Sequence, residues 1–358
     1  MLTPGEAIVR TRCLGMWAVV VGLAWAHTCW AQLDLGARHG DVVPRDVREL
    51  YDRGLQYLIS TQSEDGDWKD GQSGPGVTGM ALMCMLASGE DPNYGVYHQP
   101  VMKALRSMIR AQDANTGFMG DSMYHHGFAM LALAEAYGAV DERQLAAEGS
   151  GDKLRPIGAA LELAVRCAMT SQKKNSTGAW RYSPDSNDAD TSVSGAVLVG
   201  LLAARNAGIE VPDASIDRAI DYYKSMTSDS GQVGYSGGFG GFDESIARIS
   251  IGTLVYALAR RYDLPQYKST LGYLQQRIET EGSSGHGGAE YAHYYQAQAL
   301  FQGDVESWER WNKLLVRRLK ATQQSNGSFQ SSYGGSVGTS LSMLALALNY
   351  RFLPIYER

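Results

Sequence analysis

Cysteine is scarce: four in 358 residues. Two of them, Cys13 and Cys29, fall in the N-terminal stretch considered below. The other two, Cys84 and Cys167, each lie inside an apolar helical run, where a buried free thiol is expected rather than a disulfide. Basic runs are missing, and the formal net charge is −6, so neither nucleic acid nor anionic lipid is expected as a partner. No segment alternates apolar and polar residues over a useful length, which argues against strands. The glycine-rich stretch 231–241 has no preceding strand and no Lys-Ser/Thr pair, so it reads as a lid or long turn and not as a phosphate loop. Histidines are few, and no pair has the four-residue spacing that puts two ligands on one helix face. Adjacent His125 and His126 point in different directions on a helix, so no metal and no other cofactor is expected.

What is present suits a globular protein with a substantial core: 44% hydrophobic and 20% charged residues. At the N-terminus, Arg10 and Arg12 precede an apolar run over 13–26, and Ala31 offers a small-residue cleavage point. Together these read as a secretory signal over 1–31. The run falls short of the ~20 residues a membrane span needs, and no later segment is long enough. The mature chain is therefore expected to be exported, with no membrane span. Removing the signal takes away Glu6, Arg10 and Arg12, and the formal charge becomes −7. Residues 32–44 read as a linker, and 45–356 as one domain.

That domain is a repeat. Residues 161–208 hold one whole unit: a helical run with Leu161, Ala164, Val165 and Ala168 at three- and four-residue spacing, then Gln172, then Gly178-Ala179-Trp180. A polar loop follows with Asp185, Asp188 and Asp190, and a strongly apolar run over 197–204 ends at Gly208. The same order recurs around Gln62 with Gly66 and Trp68, Gln112 with Gly117 and Phe118, and Gln323 with Gly327 and Phe329. More loosely, it recurs at Gly234 and Gly287. Taking Gly66, Gly117, Gly178, Gly234, Gly287 and Gly327 as the loop glycines gives steps of 51, 61, 56, 53 and 40 residues. Within each unit the second helix is apolar all round and must be buried, while the first keeps a polar face such as Lys103, Arg106 and Arg110. Six hairpins closed into a ring, apolar helices inside and amphipathic ones outside, satisfy both demands. An open solenoid would need a polar cap that the last unit lacks.

Gln62 to Trp68, and Gln172 with Gly178-Ala179-Trp180, resemble the Gln-Trp repeats of the squalene cyclase and protein prenyltransferase superfamily. The resemblance implies an all-α, α/α toroid. It is most similar to exported prenyltransferase/squalene-oxidase-repeat proteins of planctomycete-type bacteria, through 188–195, 294–301, 308–312 and 350–356. The Gln is expected to tie down loop groups at a helix exit, the Gly to make a tight turn, and the aromatic to pack over the neighbouring hairpin.

In such a toroid the inner helices start at one rim. Their opening loops offer Thr78; Tyr124, His125 and His126; Asp188, Asp190 and Thr191; Asp243, Glu244 and Arg248; His286, Glu290, Tyr291, His293 and Tyr294; and Thr339 and Ser340. The candidate catalytic residues are Asp190, Asp188, His126, His293 and Tyr294. Asp188-Ala189-Asp190-Thr191 resembles the Asp-x-Asp-Asp motif with which class II terpene cyclases protonate an alkene or epoxide. The resemblance makes Asp190 the acid, with Thr191 in place of the last carboxylate. The plainer reading is that Asp188 or Asp190 caps the inner helix. The zinc site of prenyltransferases is not matched, because neither Cys84 nor Cys167 lies in an opening loop. The leading expectation is an exported toroid that binds an apolar small molecule, a glycan or a protein at its cavity or rim without catalysis. The alternatives are a terpene or squalene cyclase-like enzyme with Asp190 as acid, and a polysaccharide lyase-like enzyme pairing Arg248 with Tyr294 or His293. Oligomeric state stays open.

Overall fold

The computed structural model describes residues 43–145, 154–237, 244–278 and 288–357. The signal and most of the linker read from the sequence, together with Asp243, His286 and Gly287, lie outside the described residues. Among the described residues there are twelve α-helices and no strand, only isolated bridges. They are α1 Arg45–Thr61, α2 Pro75–Leu86, α3 His98–Arg110, α4 Met123–Ala136, α5 Ile157–Lys174 and α6 Thr191–Asn206. The second half adds α7 Asp213–Ser225, α8 Ile246–Leu258, α9 Pro265–Gln276, α10 Gly288–Gly303, α11 Val305–Thr322 and α12 Gly335–Ala347. None is long and apolar enough to cross a membrane.

The even-numbered helices form the inner layer. Each packs on the next, from α2 through α4, α6, α8 and α10 to α12, and α12 returns to α2, so the ring is closed. The odd-numbered helices form the outer layer, and several pack more extensively on the inner helix before them than on the one that follows. The sequence explains the sorting. Every residue of α2 is buried, and nearly all of α4 and α6, whereas α3 buries only a stripe formed by Val101, Met102, Leu105, Met108 and Ile109. The fold is the α/α toroid expected from the repeat.

The repeated Gln stitches neighbours together. Gln112 Nε2 donates to the Gly117 carbonyl in its own loop at 3.1 Å and to the Ala160 carbonyl at the start of α5 at 2.8 Å. Gln62 does the same to Gly66 and Pro100, and Gln172 to Gly178 and Ser215. Gln323 donates to Gly327 and to Leu50 in α1, which sews the last hairpin to the first. The Gly lies flat on the next outer helix. Gly66, at φ +91°, has the Lys103 carbonyl where a Cβ would be.

Two details add to or depart from the sequence reading. Trp68 and Trp180 also anchor their own outer helix, donating the indole N–H to the Leu58 and Ala168 carbonyls, a bond the sequence reading did not include. In the fourth unit the glycine in the stapling position is Gly231, at φ +86° against the Ser269 carbonyl, and not Gly234. Steps of 51, 61 and 53 residues then separate Gly66, Gly117, Gly178 and Gly231. Cys84 and Cys167 are free and buried, as expected.

Candidate functional site

All six inner helices begin at one rim, and short polar side chains start three of them. Ser122 Oγ accepts from His125 N, Ser245 Oγ from Arg248 N, and Asp190 Oδ1 from Val193 N at 2.8 Å. Asp190 is the informative one. It is fully buried, its second oxygen Oδ2 has no hydrogen-bond partner, and the nearest cation is Arg181 Nε at 4.0 Å. Burial pushes its carboxyl up to about 6, against the downward pull of the Val193 N–H and the Arg181 charge. The helix-capping reading of Asp190 is therefore correct for one oxygen and leaves the other unused.

Arg181, the cation nearest Oδ2, is itself set among aromatic rings. Arg181 is held by Asp188 at 2.7 Å and lies over the rings of Tyr182 and Tyr235, whose hydroxyls are 3.0 Å apart. The strand-like piece carrying Tyr235 is fixed by Thr191, whose N–H donates to the Tyr235 carbonyl and whose hydroxyl donates to the Gly234 carbonyl. Tyr222 presents a buried hydroxyl that also lacks a partner, and burial first and the Asp190 charge second raise its pKa. Burial raises the Tyr124 phenol most, Tyr295 adds to the rise, and the Asp190 charge adds a smaller part. Asp188 itself is exposed and serves as the anchor of Arg181.

Side chains from opposite sides of the ring meet across its axis. Helices α4 and α10 face each other across the ring, three places apart in a circle of six. The Tyr124 and Tyr291 hydroxyls meet in a hydrogen bond from one to the other. One turn deeper, Phe128 packs on Tyr294 with ring centroids 5.8 Å apart, and Tyr295 packs on Tyr294 at 4.7 Å. Tyr294 is thus buried in this column. Burial raises its phenol well out of the range in which it would act as a base near neutrality.

The opposite end of the axis carries a second buried acid, Glu135 on α4. Its Oε2 accepts from Ile355 N at 3.3 Å, and burial pushes it up to about 8. The C-terminal turn Pro354–Tyr356 closes this end, tied by Gln302 Nε2 to the carbonyls of Ile355 and Glu357.

Two of the named histidines point elsewhere. His126 is fully buried with both ring nitrogens occupied: Nδ1 accepts from Met119 N at 3.2 Å, and Nε2 donates to the Ala164 carbonyl at 3.0 Å. Burial lowers it to about 4, so it is a neutral strut between hairpins. His293 sits two residues from Tyr291, on the other side of α10, and packs edge-on against Trp311 of the outer layer. It is lowered to about 4, first by burial and then by Arg318. Arg248 donates from Nε to the Val233 carbonyl, in the loop between α7 and α8, at 2.9 Å. Among the described residues no group of three or more His, Cys, Asp or Glu side chains could hold a metal.

Sequence reasoning missed Arg181, Tyr182, Tyr222 and Tyr235, which are unremarkable locally. It also missed Glu135, although a lone carboxylate inside the apolar run 128–137 was a usable signal.

No protein-family model matches the chain, and no curated protein sequence does either. Solved structures do. A variant of the type II terpene cyclase MstE from Scytonema, in complex with its substrate geranylgeranyl dihydroxybenzoate, is 16% identical, with 86% of this chain and 98% of that chain covered and a TM-score of 0.58. An α-1,6-mannanase from Salegentibacter is 12% identical over 84% of this chain and 98% of its own, at a TM-score of 0.62. A D-mannose isomerase is 12% identical over 87% and 99%, at 0.59. At these identities the likeness is one of fold.

Proposed function

We propose that the chain is an exported, type II terpene cyclase-like toroid that holds an apolar, unsaturated ligand at the rim of its inner ring and protonates it from Asp190. The observation that carries this reading is a single carboxyl whose Oδ1 is spent on a helix cap while Oδ2 is buried and unpartnered, with its charge felt by the phenols of Tyr182, Tyr222 and Tyr124. With its pKa near 6, a share of the carboxyl is protonated near neutral pH. The proton passes from Oδ2 to one carbon of a double bond. The cation left on the adjacent carbon is stabilised by ring faces such as Tyr124, and loss of a proton from a neighbouring carbon to water restores an alkene. Solvent then reprotonates the carboxylate.

Thr191 stands where class II cyclases carry a further Asp. Its hydroxyl is bound to the Gly234 carbonyl, so Asp190 has Arg181 and Asp188 as its charged neighbours instead. The similarity of fold to one solved toroid, a type II terpene cyclase with geranylgeranyl dihydroxybenzoate as substrate, agrees with the proposal. The repeat residues named above keep the resemblance to exported planctomycete-type proteins within it. The lyase-like alternative has less support because His293, one of its two proposed bases, packs against Trp311 of the outer layer.

The test is to incubate the purified chain and its Asp190→Asn variant with a lipid extract and, separately, with acidic glycans. A lipid product formed by the wild type and absent with the variant is expected. Profiles from both proteins that match a blank overturn the proposal, and shortening of a glycan would favour the lyase-like reading instead.

A further inference from the structure

Helices α4 and α10 lie opposite one another in the inner ring, yet their side chains meet on the axis in two successive layers. The upper layer is the hydroxyl–hydroxyl bond between Tyr124 and Tyr291. The lower is the contact of Phe128 with Tyr294, backed by Tyr295. The spacing follows from the helices: Tyr124 and Phe128 are four residues apart, and Tyr291 and Tyr294 three, so both pairs stack along one face. Phe128, Tyr294 and Tyr295 are at most 2% exposed, whereas Tyr124 is half-buried. The upper layer thus borders the accessible rim, and the lower one is sealed beneath it. From Tyr124 down to Glu135 the axis runs eleven residues of α4, about 16 Å.

We infer that the Tyr124–Tyr291 and Phe128–Tyr294 crossbars set the length of ligand the toroid accepts, confining it to the rim beside Asp190. The inference rests on the proposed apolar ligand and names what limits it. A ligand whose reactive end lies at Asp190 has two places for its tail, out through the rim or down the axis. The crossbars close the second. Removing the Tyr124 ring opens about one helical turn, ~5 Å of axis, down to the Phe128 ring. Removing both rings extends the opening toward Glu135 and the C-terminal turn. The intact chain therefore gains little affinity from a longer tail, while each truncation admits a further isoprene unit into a dry, apolar space.

The experiment measures binding of geraniol, farnesol and geranylgeraniol to the wild type, to Tyr124→Ala, and to Tyr124→Ala with Phe128→Ala, by titration calorimetry or quenching of intrinsic fluorescence. Burying a methylene is worth about fourfold in affinity, so each additional five-carbon unit that enters the axis should tighten binding roughly tenfold or more. The wild type is expected to bind the three alcohols within about threefold of one another. The single variant should prefer farnesol over geraniol by roughly tenfold, and the double variant should extend the preference to geranylgeraniol. A thermal melt checks each fold, and Tyr124→Leu, which leaves a smaller cavity, replaces Tyr124→Ala if the latter does not fold. Equal dependence on chain length in wild type and variants overturns the inference, as does absence of binding to all of them. Because the alcohols report binding and not turnover, loss of the Asp190-dependent product with an intact chain-length profile would instead count against the proposed chemistry alone.

Discussion

Glu135 offers a test of the interior that does not depend on any ligand. Its carboxyl is 3% exposed, has one backbone donor, Ile355 N at 3.3 Å, and is pushed up to about 8 from an ordinary value of 4.5. A folded pKa above the unfolded one means the native state holds a proton the unfolded chain has released. Stability is then fully present below about pH 4.5 and is lost as pH rises toward 8. The whole shift corresponds to at most about 5 kcal/mol at roughly 1.4 kcal/mol per pH unit. The useful window is its upper part. Asp190, half-protonated near pH 6, adds only about 0.2 kcal/mol above pH 6.5, and the buried His126 and His293, lowered to about 4, leave no histidine contribution much above the unfolded value near 6.5. Between pH 6.5 and 8, Glu135 should therefore cost the wild type about 1–2 kcal/mol, which lowers Tm by several degrees in a chain of this size. Glu135→Gln keeps an oxygen for the Ile355 N–H and cannot ionise, so its Tm should stay level over the same window. Parallel pH curves for wild type and variant would refute the burial argument, and with it the closure of this end by the C-terminal turn.

Asp190→Asn should be as stable as the wild type at pH 7 or more so, by up to about 3 kcal/mol. The asparagine can still accept from Val193 N, and a buried carboxyl with its pKa raised to about 6 loses stability as pH rises from about 4 to 6. Urea unfolding at pH 4, 6 and 7 should show the gap opening over that range and then staying flat, while Asp190→Ala should fall about 1 kcal/mol below the asparagine variant through loss of the cap. Gln323→Leu removes the donor to the Leu50 and Gly327 carbonyls and should cost about 2–4 kcal/mol in urea unfolding, whereas the same change at the exposed Gln324 should cost under about 0.5 kcal/mol. Gly231→Ala should destabilise by about 1–3 kcal/mol because of its φ of +86° and the Ser269 carbonyl beside it, while Gly272→Ala, in a helix with open space around it, should be neutral or stabilising in the same melts.

The toroid was legible because its signal is repeated: Gln, Gly and an aromatic in fixed order, with an apolar helix after them, is informative several times over. The exact register was less so. Gly231 and Gly234 are both glycines in a glycine-rich loop, and only the approach of the Ser269 carbonyl distinguishes the stapling one. Asp190 could be read from its motif and from its place before an inner helix. The division of labour between its two oxygens could not, since it depends on which loop covers Oδ2. The ring partners of His126, Met119 N and the Ala164 carbonyl, lie on a loop and a neighbouring outer helix, which no local pattern brings together. The Tyr124–Tyr291 bond joins residues 167 apart, and nothing short of the closed ring brings them together. Local patterns specify helices and their buried faces; contacts across the axis follow only from the number of hairpins and from which pair ends up opposite.

The central claim is that Asp190 transfers a proton to carbon. It is tested most directly by incubating the chain with an acyclic polyene in deuterium oxide and analysing the product by mass spectrometry. The account predicts one solvent deuteron bound to carbon in the wild-type product and no product with Asp190→Asn. Product without deuterium, or the same labelled product from the asparagine variant, would contradict it.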